Sequence, residues 1–402
     1  MEETLNIVLA QNVSLNSNYA VSNTLQHLVR LLSGDDDIAF SLICGRNEAV
    51  PEITKDGFFS FHEIDTGMHS ILGNIKYALS ISSRLKTIHT KRKVDLIHAR
   101  YPFSALLGAT LFKKWVFPSV RIIYDIGSPW IEMMGERFKW LSNRIFKSSL
   151  HRMESFLANN VDGYYFQNED VAEYYQAHIP SIKDKPCEYL NFELDSHLFE
   201  PRPFNHSIAK TLGIMQGDLV LGMVAGLARM REVDFVIKSF AKYRNQFGVD
   251  SIKMLIVGEG PERKNLQNLV KTMGLDDIIR FTGQVDHKSV PDYLSVMNMA
   301  ISHLPNKTVF EISSPLKLME YLVCGVPVLA SNVKAHRRLC KYSSNVFLYE
   351  NNAESFCSTL HALIKRVPES KEVLEERQFL KECFGSNTIR NNLVNLYSTV
   401  LS

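Results

Sequence analysis

The stretch EISSPLKLMEYLVCGVPVLA, residues 311–330, has polar and charged side chains in an order that suits the binding of phosphate groups. Its pattern predicts a loop, then a helix, then a strand. Ser313 or Ser314 is predicted to cap the helix, with Pro315 in the first helical turn. The backbone N–H groups at such a helix start, with the positive end of the helix dipole, favour a diphosphate. An ordinary capped helix packed on a sheet is the alternative interpretation of this fragment alone.

Two charged side chains follow within the predicted helix. Lys317 adds a cation in the first turn, and Glu320 lies three residues further along, close to the same helix face. The carboxylate of Glu320 is an acceptor for the hydroxyl groups of a ribose. Gly325 is predicted to end the helix, and residues 326–330 have the pattern of a short buried strand.

Length and composition indicate a globular protein of two domains. The chain has 402 residues, of which 45% are hydrophobic and 22% charged. The formal net charge of +2 conceals an uneven distribution, because residues 84–152 contain 14 Lys and Arg against 4 Asp and Glu. The six cysteines form no CxxC pair, which favours a reducing cytoplasmic compartment over a disulfide framework. No apolar run approaches the ~20 residues that span a bilayer, and no signal peptide is recognised.

Alternating strand and helix patterns along the whole chain predict an α/β fold. We expect two Rossmann-like, doubly wound domains facing a cleft, with ligands at the carboxyl ends of the strands. Residues 1–200 are assigned to the first domain and residues 201–385 to the second. The segments SIKDKP at 181–186 and PRPF at 201–204 are the best candidates for linkers. Residues 136–158 read as one basic, aromatic helical stretch.

Several familiar motifs are absent. There is no GxxxxGK[ST], which argues against a P-loop NTPase, and the absence of GxSxG and HExxH leaves a hydrolase without support. The first strand is followed by QNVSLNSNYA instead of GxGxxG, which argues against a dinucleotide oxidoreductase. GEGPER at 258–263 either contacts a ligand through Gly258 or is a tight turn with Pro261 at a helix start. No DNA- or RNA-binding module accompanies the basic window, so no nucleic-acid partner is expected.

Eight segments extend in order over nearly the whole chain: DLIHAR at 95–100, YDIGSPW at 124–130, VDGYYFQNED at 161–170, NFELDSHLFEP at 191–201, AGLARMREVDFVIKSF at 225–240, IVGEGPERKNL at 256–266, FTGQVDHKSVPDYL at 281–294 and SPLKLMEYLVCGVPVLAS at 314–331. In this order they resemble a glycosyltransferase of family 4, which has the two-domain GT-B architecture. The last run is the most specific of them.

The resemblance implies transfer of a sugar, with retention of configuration, from a nucleoside-diphosphate sugar to a glycan, lipid-linked or other hydroxyl acceptor. It implies no metal and no other cofactor, because the catalytic cations Arg231 and Lys317 and a helix start would neutralise the leaving diphosphate. Glu320 falls on the ribose-binding carboxylate, and the base would lie against the backbone near Gln284 and Val285. The other donor-binding residues that it indicates are Gly226, Arg229, Gly258, Glu311, Ser313, Ser314, Pro315 and Leu316, the last through its backbone N–H.

The chain departs from the family pattern at several of these positions. The family commonly has two glutamates eight residues apart, but Ile312 stands at the first of these positions and Glu311 lies one residue away. The usual arginine aligns with Gly226, for which Arg229 is a candidate substitute, and the usual glycine after the basic residue aligns with Glu232. The glycine-rich loop after the first strand is replaced by residues that tolerate turns and are predicted to bind the acceptor, Asn16, Ser17, Asn18 and the following Tyr19.

In the first domain, Asp125 ends a predicted strand and is our third catalytic candidate, with its side chain facing the sugar. A strand-end aspartate that caps the next turn is the alternative. His98 and Arg100 end a neighbouring strand and are predicted to bind the acceptor. A structural histidine and a surface arginine are the alternatives for these two residues.

Two other functions stay open, a nucleotide-sugar-binding protein without turnover and a nucleotide-sugar epimerase of the same architecture. By resemblance, the role is expected in surface polysaccharide or glycoconjugate synthesis, and a final helix in 386–402 is expected to complete the first domain. The basic window 84–152, with the aromatic segments at 113–117 and 136–152, predicts reversible docking on the anionic inner face of a membrane. A solvated basic helix with Trp140 and Phe146 in the core is the alternative.

Overall fold

The structure is a computed structural model, and it describes residues 4–11, 20–32, 38–46, 58–65, 71–101, 103–137, 143–190, 194–195, 198–215, 217–249, 251–366 and 370–402. The chain divides into two compact units, one of Met1–Glu193 with Ser386–Ser402 and the other of Leu194–Gly385. Each unit is an α/β structure with one parallel sheet. The predicted α/β class with two Rossmann-like domains is therefore confirmed.

The first unit contains a seven-stranded sheet with the order β3-β2-β1-β4-β5-β6-β7. All neighbouring strands in it are parallel. Its central strands are buried on both faces and mostly apolar, as is usual where helices cover a parallel sheet. The strands are β1 (Leu5–Ala10), β2 (Ile38–Gly45), β3 (Phe58–Ile64), β4 (Leu96–Arg100), β5 (Arg121–Ile126), β6 (Gly163–Phe166) and β7 (Cys187–Tyr189).

Helices connect these strands, and α2 and α3 approach each other closely. A Cβ atom at Gly108 of α3 would lie 2.7 Å from the carbonyl oxygen of Ala78 in α2, so only glycine allows this packing distance. The helices are α1 (Ala20–Leu32), α2 (Ile71–Lys91), α3 (Phe103–Trp115), α4 (Trp130–Arg137), α5 (Arg144–Ala158) and α6 (Glu169–Gln176).

The second unit contains a six-stranded parallel sheet with the order β10-β9-β8-β11-β12-β13. The order reverses direction between β8 and β11, which is where doubly wound sheets bind ligands. Its strands are β8 (Leu219–Val224), β9 (Ile252–Val257), β10 (Ile279–Gly283), β11 (Met299–Ser302), β12 (Val328–Ser331) and β13 (Val346–Tyr349). Its helices are α7 (His206–Leu212), α8 (Val233–Phe247), α9 (Arg263–Thr272), α10 (Val290–Leu294), α11 (Thr308–Glu311), α12 (Leu316–Val323), α13 (Lys334–Leu339), α14 (Ala353–Lys365) and α15 (Ser370–Phe384).

The last helix, α16 (Ser386–Leu401), belongs to the first unit, where the sequence analysis expected it. Its apolar stripe is buried in one core cluster with Ile7 and Leu9 of β1. Burial of four aliphatic side chains contributes several kcal/mol, at about 1.5–3 kcal/mol for each. The stripe consists of Ile389, Leu393, Leu396 and Val400.

Two sequence interpretations were wrong. Residues 180–184 are not a linker, because they form a 3-10 turn whose Ile182 is buried in the core of the first unit. The basic stretch 136–158 is not one helix, because α4 ends at Arg137 and α5 begins at Arg144, capped by the side chain of Asn143.

Candidate active site

The GEGPER segment supports the loop that follows β8. Gly258 has φ of 142°, and a Cβ atom there would lie 2.0 Å from the carbonyl oxygen of Ala225. The N–H of Leu227 donates to the carbonyl of Glu259, and the N–H of Glu262 donates to the carbonyl of Leu227, each at 2.9 Å. These contacts are those of a tight turn, and α9 begins two residues after Pro261, which is therefore not at the predicted helix start.

The supported loop ends in a 3-10 turn, Arg229–Arg231, that leads into α8. The guanidinium of Arg231 lies over the ring of Phe310 in α11, with 4.9 Å from its carbon to the ring centroid. Glu232 follows with φ of 52°, the only positive φ at a non-glycine among the residues that the structure describes. Its carboxylate pairs with the ammonium of Lys307 at 3.1 Å. The turn with Arg231 is thus attached at two points to the segment that precedes α12.

The start of α12 differs from the prediction. Pro315, and not a serine, is in the N-cap position, and it makes no side-chain cap hydrogen bond. Ser313 instead donates its hydroxyl to the carbonyl of Phe310 at 2.9 Å. The N–H of Leu316 donates to the carbonyl of Ser314, also at 2.9 Å, and this hydrogen bond competes with the predicted contact to phosphate. The expected serine cap was wrong because 313–316 forms a tight backbone turn with its own hydrogen bonds.

Lys317 and Glu320 lie together on the first turn of α12. The Nζ atom of Lys317 is 2.8 Å from Oε2 of Glu320, whose side chain is only 2% exposed. The other carboxylate oxygen, Oε1, is 3.4 Å from Nε2 of His287. His287 lies three residues after Gln284 in the FTGQVDHKSV segment. This position is the only sequence signal for His287 as a partner of Glu320, and the sequence analysis did not predict a role for it.

The other donor candidates are distributed along the same loops. Gln284 and Val285 follow β10 directly, after Gly283 with φ of 77°. Gly226 is exposed, and a Cβ atom there would meet nothing within 4 Å. Glu311 accepts a hydrogen bond from the N–H of Lys334, and Arg337 lies 3.9 Å away, so its carboxylate caps α13. This occupation of Glu311 competes with the predicted sugar contact.

Asp125 in the first unit is the centre of a buried polar cluster. Its Oδ2 accepts a hydrogen bond from Arg100 at 2.6 Å and lies 3.2 Å from Nε2 of His98. Nδ1 of His98 lies 2.8 Å from the hydroxyl of Tyr397, which comes from α16. These side chains are at most 2% exposed. The structure therefore brings together three of the predicted residues, and it adds Tyr397, which is 299 positions from His98.

The predictions of a sugar contact for Asp125 and of acceptor contacts for His98 and Arg100 stay predictions. The other acceptor candidates, Asn16, Asn18 and Tyr19, lie outside the residues that the structure describes.

A second buried carboxyl lies behind this cluster. Glu154 of α5 accepts hydrogen bonds from the hydroxyl of Tyr124 at 2.6 Å and from Nε1 of Trp130 at 2.8 Å. Burial raises the pKa of Glu154 to about 7, although both hydrogen bonds act in the opposite direction. A carboxyl group that gains a proton near neutral pH thus links β5, α4 and α5.

Within the described ranges, no group of three or more His, Cys, Asp or Glu side chains is arranged to hold a metal ion. None of the helices in those ranges is both long and apolar enough to cross a membrane. Whether the reaction needs a metal stays a prediction.

Comparison with known proteins identifies this architecture. The two Rossmann-like α/β units match solved glycosyltransferases of GT-B architecture. Residues 218–366 match the family described as "Glycosyl transferases group 1", so the resemblance to family 4 glycosyltransferases is confirmed. That match spans the second unit from β8 to the end of α14.

Individual relatives agree with this result. N-acetyl-alpha-D-glucosaminyl L-malate synthase of Bacillus anthracis is 23% identical over 290 residues, which are 72% of this chain and 70% of that protein. Sucrose-phosphate synthase of Thermosynechococcus elongatus has a TM-score of 0.74 at 14% identity, over 98% of this chain and 99% of that chain. An Anabaena protein crystallised with UDP and glucose has a TM-score of 0.72 at 15% identity, with the same coverage.

Proposed function

We propose that the protein is a retaining glycosyltransferase that moves a sugar from a nucleoside-diphosphate sugar to a hydroxyl acceptor in glycoconjugate or polysaccharide synthesis. The observation that carries the proposal is the pairing of Lys317 with the buried Glu320 at the start of α12. The ammonium of this pair faces solvent, since the Lys317 side chain is 38% exposed. The carboxylate is buried, since the Glu320 side chain is 2% exposed. The exposed cation would meet the diphosphate, and the fixed carboxylate would accept the ribose hydroxyls.

Arg231 supplies the second cation of the proposal. Its guanidinium rests on Phe310 of α11, the helix that precedes α12 in sequence, and it remains exposed. A ring face orients a guanidinium without neutralising it, so the full charge stays available to a phosphate. Two cations aimed at the charge that develops on the leaving diphosphate would lower the barrier without a metal.

The first experiment incubates the protein with a panel of nucleoside-diphosphate sugars and follows nucleotide and sugar by NMR. Slow release of nucleoside diphosphate supports the transferase, and the anomeric proton of the product reports whether configuration is retained. Conversion of the sugar without release would favour the epimerase. Line broadening without turnover for every sugar would favour a binding protein.

The metal question is tested in the same assay. We expect release to continue in excess EDTA, because cationic side chains occupy the role that Mg²⁺ has in other transferases. Loss of activity in EDTA that Mg²⁺ or Mn²⁺ restores would contradict this part of the proposal.

We also propose that α5 docks on an anionic membrane surface. Ile145 and Phe156 are 76% and 69% exposed, and their spacing of eleven residues places them on one helix face. Arg152, seven residues after Ile145, lies between them on the same helix face and is also exposed. Exposed apolar side chains beside a cation fit a lipid headgroup region, where each Lys or Arg contributes about 1 kcal/mol.

Vesicle sedimentation tests this docking. We expect salt-sensitive binding to phosphatidylglycerol vesicles, weaker binding to phosphatidylcholine vesicles, and a severalfold loss in Ile145→Ser/Phe156→Ser. The control is Ile75→Ser/Leu79→Ser, which removes two exposed apolar side chains of α2. Equal binding by both double variants would refute a role for α5.

A further inference from the structure

An open cavity of about 600 Å³ lies in the first unit, beside α4, α5 and the end of α6. None of the residues that line it is among those assigned above to the nucleotide-sugar. Most of its lining comes from one face of α5, at spacings of three and four residues. The lining residues are Glu132, Arg144, Lys147, Ser148, His151, Arg152, Ser155 and His178.

The cavity is rich in cations, and one of them is already neutralised. Lys147 donates to Glu132 at 2.5 Å, and the hydroxyl of Tyr174 donates to the same carboxylate at 3.0 Å. Arg144 and Arg152 are exposed, and neither forms an ion pair with another residue that the structure describes. The lining therefore presents two guanidinium groups whose charge is available to a ligand.

Two histidines form the inner wall. The rings of His151 and His178 stack with 4.1 Å between centroids. Nδ1 of His178 lies 3.0 Å from the carbonyl of Tyr174, whereas Nδ1 of His151 is buried and has no hydrogen-bond partner among the residues that the structure describes. Nε2 of His151 lies 3.9 Å from Oε1 of Glu132.

The charge on this wall depends on what fills the cavity. Burial, followed by the neighbouring His178, lowers the pKa of His151 to about 4, and Lys147 also lowers it, while Glu132 opposes these effects. His151 is therefore neutral at pH 7 with these neighbours. An anion nearby would raise its pKa by stabilising the imidazolium form.

We propose that this cavity binds the phosphate group of a phosphomonoester. Two guanidiniums, the hydroxyls of Ser148 and Ser155, and imidazole N–H groups supply more donors than the two oxygens of a carboxylate accept, and they match the three terminal oxygens of a phosphate. The cavity is much larger than a phosphate alone, so the ligand carries an organic group as well. The proposal does not depend on the donor assignment in the second unit.

The test uses glycerol 3-phosphate and two readouts, calorimetry and NMR of the protein with labelled histidines. We expect binding that Arg144→Gln/Arg152→Gln weakens at least about a hundredfold, because charge-assisted hydrogen bonds to the phosphate are lost at both arginines. The imidazole signals, assigned with His151→Gln and His178→Gln, should move on binding, and the pKa of His151 should rise. The matched control, Arg84→Gln/Lys86→Gln, removes two exposed cations of α2 and should bind like the parent.

Two further arms separate the possible sources of the phosphate and the possible sites. Vesicles with phosphatidic acid are compared with vesicles of phosphatidylglycerol, which lacks a phosphomonoester. Binding to glycerol 3-phosphate supports the cavity for a soluble phosphate. Stronger binding to phosphatidic acid than to phosphatidylglycerol vesicles, with the difference lost in the arginine variant, supports it for a lipid-borne phosphate. The inference is overturned by no binding to either, by unchanged affinity in Arg144→Gln/Arg152→Gln, or by binding that only Arg231→Ala/Lys317→Ala abolishes.

Discussion

Replacement of Lys317 by alanine should lower kcat/KM for the nucleotide-sugar by about a hundredfold. A charge-assisted contact to a developing diphosphate contributes ~3 kcal/mol to transition-state stabilisation, which corresponds to that factor. The structure supports this magnitude, since the Lys317 side chain is 38% exposed yet its Nζ atom is held 2.8 Å from Glu320, so the cation is both accessible and positioned.

The same substitution removes a partner from a buried carboxylate. Glu320 would retain only His287, at 3.4 Å, as a partner in the described ion pairs, and we expect a loss of about 1 kcal/mol in the free energy of unfolding. The double variant Lys317→Ala/Glu320→Gln should recover this stability, because no unpaired carboxylate remains. It should not recover activity, because it lacks both the Lys317 cation and the Glu320 carboxylate proposed to accept the ribose hydroxyls, so the loss of turnover does not follow from the loss of stability.

A matched control is the pair Lys238–Asp234 on α8, with 2.8 Å between charged atoms and both side chains about half exposed. Lys238→Ala should cost less than about 0.5 kcal/mol and leave turnover unchanged. Nucleoside-diphosphate release and melting temperature are measured for all four proteins. Near-normal release by Lys317→Ala, or an equal loss in Lys238→Ala, would refute the assignment.

Three other predictions concern stability and the altered loop. Because the pKa of Glu154 is raised from 4.5 to about 7, the folded state keeps a proton there, and the free energy of unfolding falls as pH rises through this interval. Glu154→Gln should remove up to about 3 kcal/mol of this fall. Melting at pH 5 and at pH 8 measures the difference. Glu232→Gly should melt at or above the parent temperature, whereas Glu232→Val should lose about 1–2 kcal/mol, since φ is 52° there, and the reverse order would contradict a left-handed conformation. Gly226→Arg should fold normally, because the space at its Cβ is open, and should raise kcat/KM by adding a cation near the diphosphate, which the release assay measures.

The strand and helix periodicity was sufficient to predict the fold class, because buried parallel strands alternate with amphipathic helices in both halves. It was not sufficient for β3 and β7, which were not predicted. β7 has three residues, too few for a periodic signal, and β3 pairs at the sheet edge. The two helices in 136–158 were merged because the sequence between them is as basic and aromatic as the helices themselves.

The site was predictable where one short segment contains it and not where the fold assembles it. Lys317 and Glu320 are three residues apart on one helix, and spacing alone placed them together. Arg100 and Asp125 were predicted at the ends of neighbouring strands, but no local pattern indicates that Tyr397 of the last helix joins them. The left-handed Glu232 was recognised only as a departure from a family glycine, whereas the structure gives the reason that glycine suits this position.

The central claim is that Arg231 and Lys317 neutralise the diphosphate of a nucleotide-sugar. It is tested most directly by single-turnover release of nucleoside diphosphate in excess EDTA, with the best sugar from the panel, for the parent and for Arg231→Ala/Lys317→Ala. The account predicts release by the parent and a loss of at least about a hundredfold in the double variant, whose fold is checked by melting. Release by the double variant at the parent rate would contradict it.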